Sequence, residues 1–206
     1  GGIQEEISQG AGRIAGHLGL DNLVMFYDAN NIQLSTTVKE VDSEDVAAKY
    51  QAWGWHVLHV DGSNPEEIRK ALQQAKATVG KPTLIIGKTI MGRGAVTADG
   101  SSFENKVSTH GQPLSAAGAS IEETIKHLGG DPENPFRIFP EVEALYTERL
   151  AELRALAKAR KQEEATWRAE NKERADKLDR WFSGVAPQVD WSKVVQKPNQ
   201  ATRAAS

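Results

Sequence analysis

Asn30 and Asn31 stand where an apolar run, Leu23-Val24-Met25-Phe26-Tyr27, breaks off inside the stretch FYDANNIQLS. Two adjacent amides there have two readings. One is a tight turn, because Asn tolerates left-handed dihedrals. The other is a ligand set. A hard cation such as Mg²⁺ takes six oxygens in octahedral geometry, some of them commonly from phosphates. The Asn30 side chain and the backbone carbonyl of Ile32 could supply two of these from one turn. The opening of the chain bears on the choice, since Gly1 and Gly2 lead directly into a helical pattern. Glycine lets a phosphate approach the backbone, and the amino end of a helix favours negative charge. Together the two features put a phosphate-and-metal site at one edge of a parallel sheet. A third candidate is His110, near the end of a polar stretch, residues 92–118, punctuated by Gly92, Gly94, Gly100, Gly111 and Gly118. A loop of that length within a domain is functional or disordered. By itself a loop histidine reads as solvent-exposed or structural.

The elements that must position these residues follow from periodicity. Ile3, Ile7, Ala11, Ile14, Ala15 and Leu18 fall at helical spacing, glycines at 10, 12 and 16 allow close approach of a neighbour, and Gly19 ends the helix. Leu23 to Tyr27 is continuously apolar, which predicts a strand buried on both faces. Asp42-Ser43 can cap a helix reaching about Trp53, with Gly54 after it. Trp55 to Val60 is the next strand. Asn64-Pro65-Glu66-Glu67 combines a capping amide, a first-position proline and first-turn acids, and predicts a helix to about Thr78. Lys81-Pro82 then turns the chain into a third strand, 83–88. Strands alternating with helices of this length mean parallel pairing. The expected fold is α/β, a doubly wound parallel sheet with helices on both faces, followed by a long charged helical extension.

That extension begins after a short helix, 121–128, and a connector holding Pro132, Pro135 and Pro140. Residues 141–180 carry ten acidic and ten basic side chains, a balance that favours solvated helix with ion pairs between turns. Trp181-Phe182 and Trp191 are expected to pin its end to a domain. The tail from Lys197 to Ser206 reads as a polar linker.

Composition removes several classes of function. The net charge of −3 gives no reason to expect nucleic acid or an anionic membrane. Without cysteine there is no disulfide framework, thiolate metal site or cysteine nucleophile, which fits a reducing cytoplasm. No apolar run approaches a membrane span, and no signal peptide is visible. The start at Gly1 without methionine, directly ahead of a helical pattern, suggests a piece of something longer.

GGIQEEISQGAGRIAGHLGLDNLVMFYDANNIQL resembles the diphosphate-binding half of transketolase, a thiamine diphosphate enzyme. Further matches follow in order: EDVAAKYQAWGWHVLHVDG, KPTLIIGKTIMGRG and STHGQPLS. Together they span residues 1 to about 130. The resemblance implies 1–130 as the C-terminal part of the cofactor-binding domain and 131–196 as a helical connector. It makes 197–206 a linker towards a pyrimidine-binding domain, with RAAS marking the entry to it. It implies thiamine diphosphate and Mg²⁺ (or Ca²⁺) as cofactors, sugar phosphates as substrates, a homodimer in full-length form, and a cytoplasmic enzyme of the pentose phosphate pathway. The reaction would move a two-carbon ketol unit from a ketose phosphate to an aldose phosphate, with this chain inactive alone.

Carried over by position, Asn30 would bind the ion through its side chain and Ile32 through its carbonyl. The backbone at Gly1 and Gly2 would hold the diphosphate, and Leu34 and Met91 would make apolar contacts to the cofactor. His110 would lie over the diphosphate facing the substrate, a catalytic and cofactor-binding position. Glu5 would join a carboxylate network at the subunit interface. His17 and His56 read as structural. The sequence departs from the family's pattern at Gly10, where many members have a second interface glutamate, at Ser35-Thr36, and in a longer segment between Ala95 and Val107. Another thiamine diphosphate enzyme, such as deoxyxylulose phosphate synthase or a dehydrogenase component, shares the cofactor site. A non-catalytic module of the same fold is the other alternative.

Overall fold

The structure, a computed structural model, describes residues 2–193 and residue 201. Two compact units divide the chain, Gly1–Arg137 and Ile138–Ser206.

In the first unit, three parallel strands, β1 (Val24–Ala29), β2 (His56–Asp61) and β3 (Thr83–Lys88), form a sheet in the order β1-β3-β2. The registers run from Val24 opposite Thr83 and from His56 opposite Thr83, so β1 and β2 end level with each other on either side of β3. Helices α1 (Glu6–Leu18), α2 (Val46–Ala52) and α3 (Pro65–Ala77) alternate with the strands. Leu84 and Ile85 point to opposite faces of the sheet and both are fully buried, so both faces of the doubly wound α/β sheet are covered.

The strand expected to be buried on both faces is not. β1 is half-exposed, with Phe26 43% accessible, and the continuously buried strand is β3. Position in the sheet is the reason: only β3 has a strand on each side, and β1 lies at an edge of the described sheet. An apolar run records burial without saying which strand is central.

One cluster joins α1, α2 and β3: Ala15, Tyr50, Trp55 and Leu84. Tyr50 meets the Trp55 ring edge-on at 5.1 Å, and the Trp55 indole N–H donates to the Gly12 carbonyl at 2.8 Å. Helix α1 comes so close to the turn before β2 that a Cβ on Gly16 would lie 1.8 Å from the Trp53 carbonyl oxygen. Gly12 is similarly packed under the Tyr50 and Trp53 rings, whereas a Cβ on Gly10 would meet nothing within 4 Å beyond its own helix. Close approach therefore explains two of the three helix glycines.

Local capping follows the sequence at α3, where the Asn64 carboxamide accepts the Glu66 and Glu67 N–H groups. At α2 it is shifted. Asp45 caps that helix through Ala48 N–H, while Asp42 accepts from Glu44 N–H and from the Gln4 side chain. The carboxylate expected to start the helix instead ties it to the segment before α1.

The polar stretch after β3 is ordered. Val96 pairs with Ser102, Phe103 N–H donates to Ala95, and Asn105 N–H returns to the Met91 carbonyl at 2.9 Å, making a small hairpin. Val96 N–H also reaches the Thr124 hydroxyl on α5 (Ile121–His127), just after the one-turn α4 (Leu114–Ala117).

The second unit contains α6 (Pro140–Glu170) and α7 (Lys172–Phe182), separated by a break at Asn171 (φ −124°, ψ 47°). Pairs such as Arg149–Glu152 and Lys177–Glu173 link successive turns, and Arg168 bridges Glu164 to Asp179 across the break. At the surface such pairs stabilise little. Within this unit Trp181, Phe182 and Trp191 are 86%, 83% and 76% exposed. Among the described residues no helix is long and apolar enough to cross a membrane.

Candidate functional site

β1 delivers its last residues to the carboxyl edge of the sheet, where ligands bind in open α/β folds. Asn31 there adopts φ +64°, and the Asn30 side-chain oxygen accepts the Ile32 N–H at 2.9 Å. That is a side-chain-closed turn, so the structural reading of the amide pair is correct. It leaves oxygens over. A carboxamide oxygen has a second lone pair. Ile32 and Thr37 face each other in a bridge whose hydrogen bonds run from Gln33 N–H to Thr36 and from Val38 N–H to Asn31. The Ile32 carbonyl accepts none among the described residues, although Ile32 itself is 7% exposed.

The other end of the Asn30 amide is held as well. Its NH₂ donates to Asp28 Oδ2 at 3.3 Å, and Asp28 Oδ1 accepts the hydroxyl of Thr89, just beyond β3. Sequence reasoning missed Asp28 and Thr89. A carboxylate two residues before the amide was the available signal for the first; the second needs the β1–β3 register.

Beside this edge lies a cavity of about 420 Å³ lined by Gly2 and Ile3 from the 3₁₀ turn before α1, by Ser8 of α1, and by Met25, Tyr27 and Asp28 from β1. Nothing lies within 4 Å of a Cβ placed on Gly2, so the backbone there is open. Burial, with the Asp42 and Asp28 carboxylates adding to it, pushes the Tyr27 phenol up, and it stays protonated beside the cavity. Gly1 lies outside the described residues, as does nearly all of 197–206. Glu5 occupies the cap position of α1 but makes no capping hydrogen bond, and it is exposed.

Three loops meet near the same edge. A Cβ on Gly111 would touch Leu34 at 3.7 Å, and one on Gly92 would touch the Thr109 methyl at 3.4 Å. Leu34, the segment at Met91 and His110 are thereby gathered. Leu34 is 73% exposed, an apolar side chain largely open to solvent. Among the described residues, His110 Nδ1 is buried and has no hydrogen-bond partner. Leaving such a group unsatisfied costs about 1–3 kcal/mol, which a bound ligand would relieve. His56 by contrast bonds the Thr78 hydroxyl at 2.9 Å, a structural contact, and His17 is exposed in the last turn of α1.

Among the described residues no three His, Cys, Asp or Glu side chains gather as a metal site. A larger cavity of about 820 Å³ opens at the ends of β2 and β3, but its Lys88 and Arg93 are offset by Asp61, Glu67 and Glu104.

The family model for the transketolase thiamine diphosphate-binding domain matches residues 1–187. Transketolase 2 of Xanthobacter flavus is 41% identical over 150 residues, covering 72% of this chain and 21% of that protein. A transketolase of Streptococcus pyogenes is 35% identical over 214 residues, covering the whole chain and 27% of its relative. The chain thus spans between a fifth and three tenths of the length of these curated relatives. Among solved structures, transketolase from Leishmania mexicana superposes with a TM-score of 0.77 at 28% identity, covering 95% of this chain and 28% of that one. A Pichia stipitis transketolase solved with sedoheptulose 7-phosphate superposes with a TM-score of 0.76 at 30% identity, over 97% of this chain and 29% of that one. With a model match over most of its length and relatives above 30% identity, the chain belongs to the transketolase thiamine diphosphate-binding domain family.

Proposed function

We propose that this chain is part of a transketolase, transferring a two-carbon ketol unit from a ketose phosphate to an aldose phosphate. Residues 1–130 would form the C-terminal part of its cofactor domain, 131–196 a helical connector, and 197–206 a linker to a pyrimidine-binding domain. The observation that carries the reading is the buried Nδ1 of His110, unpartnered among the described residues and held beside Leu34 and the Met91 loop at the sheet edge where the Asn30 oxygen keeps a lone pair and the Ile32 carbonyl accepts no hydrogen bond.

The residues fit thiamine diphosphate and a divalent cation, Mg²⁺ or Ca²⁺. The Asn30 carboxamide and the Ile32 carbonyl present hard oxygen donors of the kind such ions take. Backbone at Gly1 and Gly2, at the amino end of α1, would receive the diphosphate. Leu34 and Met91 would pack on the cofactor's apolar parts. When bound, thiamine diphosphate supplies the electron sink, and the protein supplies binding, orientation and electrostatics. His110 would hold a proton at the substrate oxygen. Glu5 would lie at the interface of a homodimer. A cytoplasmic enzyme of the pentose phosphate pathway completes the proposal. The transketolase names of the relatives weigh against deoxyxylulose phosphate synthase and against a non-catalytic module.

The test uses xylulose 5-phosphate and ribose 5-phosphate with thiamine diphosphate and Mg²⁺. The full-length protein carrying this chain should transfer the ketol unit, and replacing Asn30 by Ala should raise the Mg²⁺ requirement. Turnover by the 206-residue chain alone, or no transfer by the full-length protein, would refute the assignment.

A further inference from the structure

We propose that Asp28 is a positioning residue: with Thr89 it fixes which end of the Asn30 side chain faces the cation. The argument rests on the reading of Asn30 as a ligand. It starts from an ambiguity built into asparagine, whose amide carries an acceptor at one end and donors at the other and can turn over at little cost. Only the oxygen can ligate a cation. An ionised carboxylate accepts and cannot donate, so with Asp28 Oδ2 at 3.3 Å from the Asn30 nitrogen, a reversed amide would set oxygen against oxygen. The Ile32 N–H fixes the other end, because it requires an acceptor at 2.9 Å.

The carboxylate is itself held. Asp28 sits opposite Gly87 in the β1–β3 register, and Thr89, two residues further on, donates its hydroxyl to Asp28 Oδ1. Both oxygens are therefore committed to different donors, one on each strand end. The chain from Thr89 through Asp28 to Asn30 ties the rigid central strand to the turn, so the orientation does not depend on the loop alone. Outer partners of this kind orient the atoms that touch a metal, and their loss weakens affinity about 10–100-fold.

The experiment is a Mg²⁺ titration of the metal-free, full-length protein at saturating thiamine diphosphate, followed by quenching of intrinsic fluorescence. Asp28→Asn should raise the half-saturating Mg²⁺ at least about 10-fold, since its own NH₂ can no longer reject the wrong face of the amide. In an Asn30→Ala background the same change should add less than about twofold, because a residue acting through Asn30 has nothing left to position. Thr89→Val should weaken binding in the same direction and Thr89→Ser should restore it. The melting temperature of the metal-free protein is measured alongside, and where Asp28→Asn does not fold, the Thr89 pair carries the test. Asp28→Asn within twofold of the parent, or full multiplication of its effect onto Asn30→Ala, overturns the positioning role. An Asn30→Ala protein with unchanged Mg²⁺ affinity instead overturns the ligand reading beneath it.

Discussion

Two substitutions of the same type in the same helix should have opposite signs. Gly10 and Gly16 both lie inside α1, and alanine at either position removes the entropic cost of helical glycine, a gain of about 1 kcal/mol. At Gly10 nothing lies within 4 Å of the new methyl group, so the gain stands. At Gly16 the methyl would fall 1.8 Å from the Trp53 carbonyl oxygen and 2.9 Å from its carbon, both backbone atoms. No rotamer relieves that clash. The helix must back away by more than about 1 Å, loosening the Ala15–Tyr50–Trp55–Leu84 cluster and lengthening the Trp55–Gly12 hydrogen bond. Overpacking of this kind costs about 1–3 kcal/mol or more, which exceeds the helix gain. For a chain of this size 1 kcal/mol moves the melting temperature by about 2–4 °C. Thermal unfolding of the 206-residue chain, followed by near-ultraviolet circular dichroism, should place Gly10→Ala a few degrees above the parent and Gly16→Ala several degrees below it. Equal upward shifts would show that α1 does not approach the turn before β2 as closely as described.

Three further outcomes are expected. Gly87→Ala also brings a close contact, 2.2 Å to Phe26 Cζ, but that atom is the free end of a 43% exposed ring that can swing aside; the loss should be under about 1 kcal/mol by chemical denaturation. Tyr27 and Tyr50 have phenols pushed up chiefly by burial, so the unfolded chain loses these protons first. Stability should hold below about pH 10 and fall as pH rises through the folded values, with Tyr27→Phe and Tyr50→Phe each reducing the fall in alkaline melting curves. In the full-length protein, His110→Ala should lower kcat/KM for ketol transfer about 100-fold or more while leaving Mg²⁺ affinity near the parent value, as steady-state kinetics and the titration would show together.

Much of the scaffold was legible because local rules and burial agreed. Asn64-Pro65 marked the start of α3 to the residue, and Lys81-Pro82 the entry to β3. What misled was context. Leu23 to Tyr27 looks like a central strand, yet sheet order, which no local pattern encodes, puts β1 at an edge. Asp42 has the chemistry of a cap but is drawn off by Gln4, 38 residues away. The same limit applies at the site. Asn30 and Ile32 stand out because two amides after an apolar run are unusual, and His110 because its loop is long. Thr89 could not stand out: a threonine after a strand is ordinary until register brings it to Asp28.

The exposed flank of β1 has a practical consequence. Among the described residues, its outward amides and carbonyls form an open template for a further strand, and the same unit leaves the apolar side chains Ile7, Ile14, Leu18 and Phe26 exposed. When this chain is produced by itself, the hazard is precipitation by strand-to-strand stacking, increasing with concentration. A lysine introduced at the outward-facing Phe26 should keep it in solution better than any change to the charged helices.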